Sequence, residues 1–138
     1  MSSEPDRFPI EPGIAPLVFA LLLLRLCHPC WSCEGHTDAT GALTRMPQVW
    51  FAADSVTYPR LILACLHTLH FKKRIASPWR VGLSLAEGDN PQPLFFIAPD
   101  VSLEAAPTLD SLRQDIRVIA GNLADAVLSS ARMQLASI

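Results

Sequence analysis

The sequence predicts an α+β domain with an antiparallel sheet of about four strands, arranged as two hairpins, and helices mainly on one face. Three segments have apolar residues at helical spacing, whereas strand-like runs occur in pairs with turn residues between them. The predicted order of elements is therefore α-β-β-α-β-β-α. The length of 138 residues corresponds to a single domain. We place it at residues 14–138, after a flexible N-terminal arm at residues 1–13.

The first helix is predicted over residues 14–27. Pro16 suits its first turn, where a backbone N–H has no partner within the helix. Residues 14–24 are uncharged and apolar on every side, which indicates a helix at the centre of the domain or at an interface. A bilayer span needs about 20 such residues, and the acidic segment before this helix does not resemble a secretory signal. We therefore expect no membrane association and a cytoplasmic protein.

The first hairpin is predicted from a strand at residues 31–38, a turn, and a return through residues 42–53. Asp38-Ala39-Thr40-Gly41 is typical of a type I turn, with glycine at the last position. Pro47 interrupts the returning strand and indicates a sheet edge or a bulge. Residues 48–53 then continue as a strand rich in aromatic and apolar side chains.

The second half of the chain repeats the order strand, strand, helix after an intervening helix. That intervening helix is predicted over residues 58–74, with Ser55 or Thr57 as its cap. Strands follow at 79–86 and 94–98, joined by a turn at 87–93. The last helix is predicted over 109–134, with Thr108 as its cap. Its inward face is predicted to consist of Leu112, Ile116, Ile119, Leu123, Val127 and Ser130.

The segment from Cys27 to Asp38 contains three of the four cysteines, two of the four histidines and two carboxylates. If this segment is a strand, side-chain alternation places Glu34, His36 and Asp38 on one face. Like-with-like pairing in the hairpin adds Asp54 to that face. The other face, with Trp31 and Cys33 beside Val49 and Phe51, is predicted to be core.

Glu34, His36 and Asp54 are therefore the candidate site. A carboxylate beside His36 would fix its tautomer and make it a general base. The same three residues could instead bind zinc and leave one position open, as in hydrolytic zinc enzymes. An ordinary solvated face of an antiparallel sheet remains the alternative.

A loop conformation of the same segment would give a different zinc site, with Cys27, Cys30, Cys33 and His36 as ligands. One short segment rarely supplies all four ligands, and strand geometry would separate Cys30 from Cys33. Strand geometry would also separate Cys33 from His36 as a nucleophilic pair. We therefore expect no cofactor, with zinc as the alternative.

The composition indicates which kinds of partner the protein is expected to have. Half of the residues are hydrophobic and 17% are charged, compared with roughly 25% charged in a typical globular protein. This predicts a homo-oligomer, most simply a dimer formed through the uncharged first helix. The net charge of -2 argues against nucleic-acid binding.

The favoured function is a binding or interaction module with a polar pocket around Glu34 and His36. Its small ligand is not identified by any motif: the sequence has no phosphate loop, no nucleophile elbow and no dinucleotide fingerprint. A small hydrolase that uses Glu34, His36 and Asp54 is the alternative. The sequence leaves open whether the protein is an enzyme.

Overall fold

The computed structural model describes residues 10–85, 93–105 and 107–136. This part of the chain forms three α-helices, one four-stranded antiparallel sheet and one separate two-stranded ladder. The α+β class is confirmed, and the order of elements matches the prediction roughly. The elements are α1 (Ala15–Leu23), β1 (Cys27–Cys33), β2 (His36–Thr37), β3 (Leu43–Arg45), β4 (Gln48–Ala53), α2 (Thr57–Phe71), β5 (Trp79–Leu85), β6 (Pro93–Pro99), a 3-10 turn (Leu103–Ala105) and α3 (Leu109–Ala136).

The four-stranded sheet has the order β1-β4-β6-β5, so β4 and β6 are its central strands. β5 and β6 form one hairpin, and β1 pairs with β4 across the excursion that contains β2 and β3. One face of the sheet shares a single hydrophobic core with all three helices. Its contribution to that core includes Val49, Phe51, Phe95 and Ile97. We call the opposite side of the sheet the outer face.

Helix α1 is shorter than predicted. It ends at Leu23, the backbone at Arg25 is left-handed with φ of 62°, and β1 begins at Cys27. The helix is also buried on one side only. Leu17 and Leu21 are fully buried, whereas Leu23 is 75% exposed, and Phe19 and Leu22 are exposed beside it. Among the described residues, no helix is both long enough and apolar enough to cross a membrane.

A bulge in β1 overturns the predicted assignment of faces. Pro29 pairs with Phe51 and Trp31 pairs with Trp50, so Cys30 is an extra residue in the ladder. One extra residue reverses the faces of everything beyond it. Trp31 therefore lies on the outer face, and so does Cys33, which pairs with Gln48. The sequence indicated an interruption at Pro47, which separates β3 from β4, but carried no sign of the bulge.

The predicted strand over residues 31–38 is also broken. β1 ends at Cys33, and Gly35 adopts a left-handed conformation with φ of 86°. His36 and Thr37 then pair with β3 in the separate ladder. The predicted alternation of Glu34, His36 and Asp38 does not continue across this break, because a positive φ redirects the chain.

The turn from Asp38 to Gly41 forms as predicted, with the Gly41 N–H donating to the Asp38 carbonyl over 3.0 Å. The Asp38 carboxylate accepts hydrogen bonds from the Thr40 hydroxyl, the Thr40 N–H and the Ala42 N–H. These bonds, above all the one from the Thr40 side chain, hold the pKa of Asp38 below its ordinary value. The Asp38 carboxylate thus stabilises the turn.

The remaining elements lie close to their predicted places. β4 has the predicted bounds, and α2 spans 57–71 rather than 58–74. The Ser55 hydroxyl accepts the Thr57 N–H at the start of α2, and the Thr108 hydroxyl accepts the Ser111 N–H at the start of α3. The predicted inward face of α3 is buried from Leu112 to Val127. The side chain of Ser130 and most of the predicted turn at 87–93 lie outside the described residues.

Candidate functional site

The break at Gly35 brings Cys33 and His36 together, although regular strand alternation would have separated them. Glu11 joins them from the segment that precedes α1. One ligand atom of each residue, the thiol sulfur, an imidazole nitrogen and a carboxylate oxygen, lies within 4.8 Å of the other two. Cys33 is buried, whereas the His36 side chain is 47% exposed. We call these three residues the Glu–Cys–His cluster.

Two contacts hold Glu11 in the cluster. One carboxylate oxygen accepts the backbone N–H of Glu34 over 3.1 Å, and the other lies 3.7 Å from His36 Nε2. The backbone carbonyl of Glu11 accepts N–H groups from Ile14 and Ala15, which fixes it at the entry to α1. Glu11 lies in the predicted N-terminal arm and is not among the predicted site residues. No spacing pattern connects it with residues 33–36.

Glu34 is turned away from His36 and toward the helices. Its carboxylate accepts the Gly13 N–H over 2.7 Å and lies 3.5 Å from an Arg113 guanidinium nitrogen of α3. A Cβ atom at Gly13 would come within 2.8 Å of both side chains, so a larger residue there would displace their contact. Glu34 therefore ties the segment before α1 to α3, directly beside the Glu–Cys–His cluster.

Asp54 lies at the opposite end of the β1–β4 pair. The register places Cys33 opposite Gln48 at one end and Cys27 opposite Ala53 at the other. Five residue steps of extended chain, from Gln48 to Ala53, separate these ends by about 17 Å. Asp54 contacts His28 instead, with 2.7 Å between carboxylate oxygen and Nε2. The structure thus leaves Asp54 apart from Glu34 and His36, and the Glu34 carboxylate faces α3 rather than His36.

The alternative set of Cys27, Cys30, Cys33 and His36 is spread along β1. Cys27 is buried at the Asp54 end, where burial and then the charge of Asp54 raise the pKa of its thiol to about 11. Cys30 lies at the bulge and donates to the Trp50 carbonyl over 3.5 Å; burial raises the pKa of its thiol as well. All four cysteines are free thiols. Of this set, only Cys33 and His36 come together.

The donor spacing of the Glu–Cys–His cluster is close to that of a metal site. Bonds of 2.0 to 2.3 Å in a tetrahedron place ligand atoms about 3.4 to 3.8 Å apart. The His36–Glu11 distance of 3.7 Å already lies in that range. The Cys33 sulfur accepts the Gly35 N–H over 3.5 Å, which fixes the sulfur on the side of the break. Thiolate, imidazole and carboxylate are the three ligand types that zinc takes in proteins.

The outer face carries a second cluster of side chains, aromatic rather than polar. Trp31, Trp50, Phe96 and Gly82 form one row across all four strands, since each is paired with the next. The three aromatic side chains are partly exposed. The Trp50 and Phe96 ring centroids lie 4.9 Å apart, and the Arg80 guanidinium lies 5.3 Å above the Phe96 ring.

Comparisons with protein-family models, with curated proteins and with solved structures found no match for this chain. The fold and the two clusters are therefore the basis for a functional proposal. The class they define is a small α+β domain with a mixed-donor cluster at one end of its sheet.

Proposed function

We propose that this protein is a small cytoplasmic binding module that holds one zinc ion in the Glu–Cys–His cluster. The observation that carries the proposal is the approach of three different zinc-type donors to within 4.8 Å, from two separate parts of the chain. The four free thiols suit a reducing compartment such as the cytoplasm. The polar pocket expected around Glu34 and His36 then includes Glu11 and Cys33 as ligands.

A metal accounts for the cluster better than the other two interpretations. A solvated sheet face explains exposed Glu and His side chains, but it does not explain a buried thiol that faces them. A catalytic cysteine must reach its substrate. Cys33 is only 2% exposed, which leaves little room for a substrate at its sulfur.

Glu34 and Arg113 support the cluster without joining it. Their contact and the Gly13–Glu34 hydrogen bond position the segment that carries Glu11. The backbone N–H of Glu34 also orients the Glu11 carboxylate directly. Contacts of this kind are the usual way in which proteins fix the orientation of metal ligands.

The test is metal binding by protein purified without a histidine tag. We expect about one equivalent of zinc per chain, and with cobalt a thiolate charge-transfer band that reports Cys33. His36→Ala and Cys33→Ser should each weaken zinc binding by at least about 10-fold. His28→Ala and Asp54→Ala are matched controls from the other end of β1 and should bind zinc normally. Less than about 0.2 equivalents of any transition metal would contradict the proposal.

The second candidate is a hydrolase that uses the same ion. The observation that favours it is the exposure of His36, because three protein ligands leave a fourth position that faces solvent on that side. Hydrolysis of an activated ester by zinc-loaded protein, at a rate above that of buffer with the same zinc concentration, would support it if the activity is retained in His28→Ala and lost in His36→Ala. Zinc binding without hydrolysis would support the binding module and argue against the hydrolase.

A further inference from the structure

We propose that the open position of the zinc ion binds a small carboxylic acid in its ionised form, and that Arg45 selects this ligand by pairing with its carboxylate. The inference rests on the proposed function, because it needs a metal in the Glu–Cys–His cluster. The observation that carries it is the position of Arg45 opposite His36 in the two-stranded ladder.

Arg45 lies beside the exposed side of the cluster. It is the ladder partner of His36 in the antiparallel pair of β2 and β3, and the register shifts only beyond this pair, between His36 and Thr37. Directly opposed side chains in such a pair leave the ladder on the same side, with Cβ atoms about 4.5 to 5.5 Å apart. Both side chains are exposed. The long side chain of Arg45 can therefore reach the space beside His36, where the fourth zinc position faces solvent.

Further contacts hold β3 against the break at Gly35. The Thr44 hydroxyl donates to the His36 carbonyl over 3.1 Å. A Cβ atom at Gly35 would lie 3.2 Å from the Arg45 carbonyl oxygen, so the two backbones are close together. The backbone of Arg45 is thus fixed relative to the cluster while its side chain extends into solvent. Binding groups on strands hold their positions more firmly than groups on loops.

The charges at the site favour an anion with a single negative charge. With its ligands in their usual forms, thiolate, carboxylate and neutral imidazole, the zinc ion has no net charge. Arg45 adds one positive charge, and no ion pair joins it to a carboxylate in the described part of the chain. The nearby Arg113 guanidinium, in contrast, lies 3.5 Å from Glu34. Arg45 is therefore the cation that can pair with a ligand.

A carboxylate has the right shape to contact both groups. One of its oxygens can take the fourth zinc position, because zinc accepts carboxylate oxygen as a ligand. The other oxygen can accept a hydrogen bond from Arg45, since the planar guanidinium matches the geometry of carboxylates. A phosphate dianion also matches a guanidinium, but it brings two negative charges to a site with one positive charge. The small ligand that no sequence motif identified is therefore assigned to the carboxylic acids.

The experiment is a titration of the cobalt-loaded full chain with acetate at constant ionic strength. A new fourth ligand alters the visible absorption bands of tetrahedral cobalt, and the thiolate band reports that Cys33 stays bound. For a ligand with so few atoms, we expect a dissociation constant on the order of millimolar. Acetamide, which is neutral and similar in shape, should leave the spectrum unchanged.

Variants of Arg45 test its contribution separately from that of the metal. Arg45→Gln should weaken acetate binding at least about 10-fold, because it removes a hydrogen bond between charged groups. It should bind zinc and cobalt as well as the wild type does. Arg45→Lys should recover part of the acetate affinity, since it restores the charge without the planar geometry. Arg60→Gln, the same change at an exposed position of α2, is the matched control and should behave as wild type.

Three results would overturn this inference and leave the zinc site standing. The first is metal-loaded protein whose absorption bands do not respond to acetate. The second is equal acetate affinity in wild type and Arg45→Gln. The third is tighter binding of inorganic phosphate than of acetate, which would contradict the assignment to a carboxylate. Failure of the wild type to bind any metal would instead contradict the proposed function, and this inference with it.

Discussion

At the scale of the single residue, Asp115 is the most constrained polar group in the described chain. It is 2% exposed on α3 and accepts three hydrogen bonds, from the Ala76 N–H, the Ser77 N–H and the Trp79 indole N–H. The carboxylate thus connects α3 to the segment that leads into β5. Its position in sequence resembles that of any acidic residue on a helix, and sequence alone gave no reason to expect it inside.

Asp115→Ala should lower the free energy of unfolding by about 3 kcal/mol, because three buried donors lose their acceptor. Asp115→Asn should cost less, since an amide oxygen can still accept some of these bonds. Urea unfolding monitored by circular dichroism measures both. Asp125→Ala, an exposed position on the same helix, should change the value by no more than about 0.5 kcal/mol. Equal effects at 115 and 125 would show that the three bonds contribute little.

At the scale of the element, two glycines with the same backbone conformation have different surroundings. Gly35 and Gly41 both have φ of 86°. A Cβ atom at Gly35 would lie 2.7 Å from Leu109 Cδ1 and 3.1 Å from Pro47 Cδ, whereas at Gly41 it would meet nothing within 4 Å. The first glycine allows α3 and the β3–β4 connection to close around the break that forms the Glu–Cys–His cluster.

Gly41→Ala should therefore lower the free energy of unfolding by about 1 kcal/mol, because a left-handed conformation is strained for alanine. Gly35→Ala should cost about 2 to 3 kcal/mol, because the clash adds to the same backbone strain. Only Gly35→Ala should weaken zinc binding, since it displaces His36 relative to Cys33. Thermal unfolding and zinc titration of both variants provide the comparison, and equal losses of stability would argue against the close contact with Leu109.

The elements themselves were largely predictable, whereas the irregularities between them were not. The apolar pattern correctly predicted the bounds of β4 and the buried face of α3 from Leu112 to Val127. Hydrophobic alternation contains no mark of an extra residue such as Cys30, so Trp31 and Cys33 were assigned to the wrong face. Glycine inside a strand is a known sign of a bend or bulge, and at Gly35 that sign was present. The contribution of Glu11 depends on tertiary contact and could not be found from spacing.

At the scale of the whole molecule, the low charge content predicted an apolar surface that needs a partner. Among the described residues, apolar side chains are exposed on the outer side of α1 around Phe19 and Leu23, and aromatic side chains are partly exposed on the outer face of the sheet around Trp50. The sequence predicted an interface at α1 alone, because α1 was the helix predicted to be apolar on every side. The aromatic row on the outer face was not predicted, because it depends on the bulge, which places Trp31 in line with Trp50 and Phe96.

Stability of the whole fold should fall in mildly alkaline solution, because burial raises the pKa of Cys27 from 9.0 to about 11. Below pH 9 the thiol is protonated in both states, and this group adds no pH dependence. Between about pH 9 and 11 the unfolded chain loses this proton while the folded chain keeps it, so the free energy of unfolding falls, by up to about 3 kcal/mol.

Urea unfolding under reducing conditions at pH 8 and pH 10.5 measures this loss. Cys27→Ala should be less stable than wild type at pH 8, because a buried side chain is made smaller. Its further loss between the two pH values should be clearly smaller than that of wild type. The same pH-dependent loss in both proteins would assign the effect to other groups, such as the buried thiol of Cys65, whose pKa is also raised by burial.

The bulge at Cys30 also determines where the length of this chain can change. Pro29 and Trp31 pair with Phe51 and Trp50, which are consecutive, so Cys30 is the residue that the ladder leaves without a partner. A homologue that lacks the residue at this position would have a regular first strand and the same two faces. A homologue that lacks a different residue and keeps the bulge would exchange the faces of the residues beyond the deletion. In a relative with one residue fewer in this strand, we therefore expect the missing residue to be the one opposite Cys30.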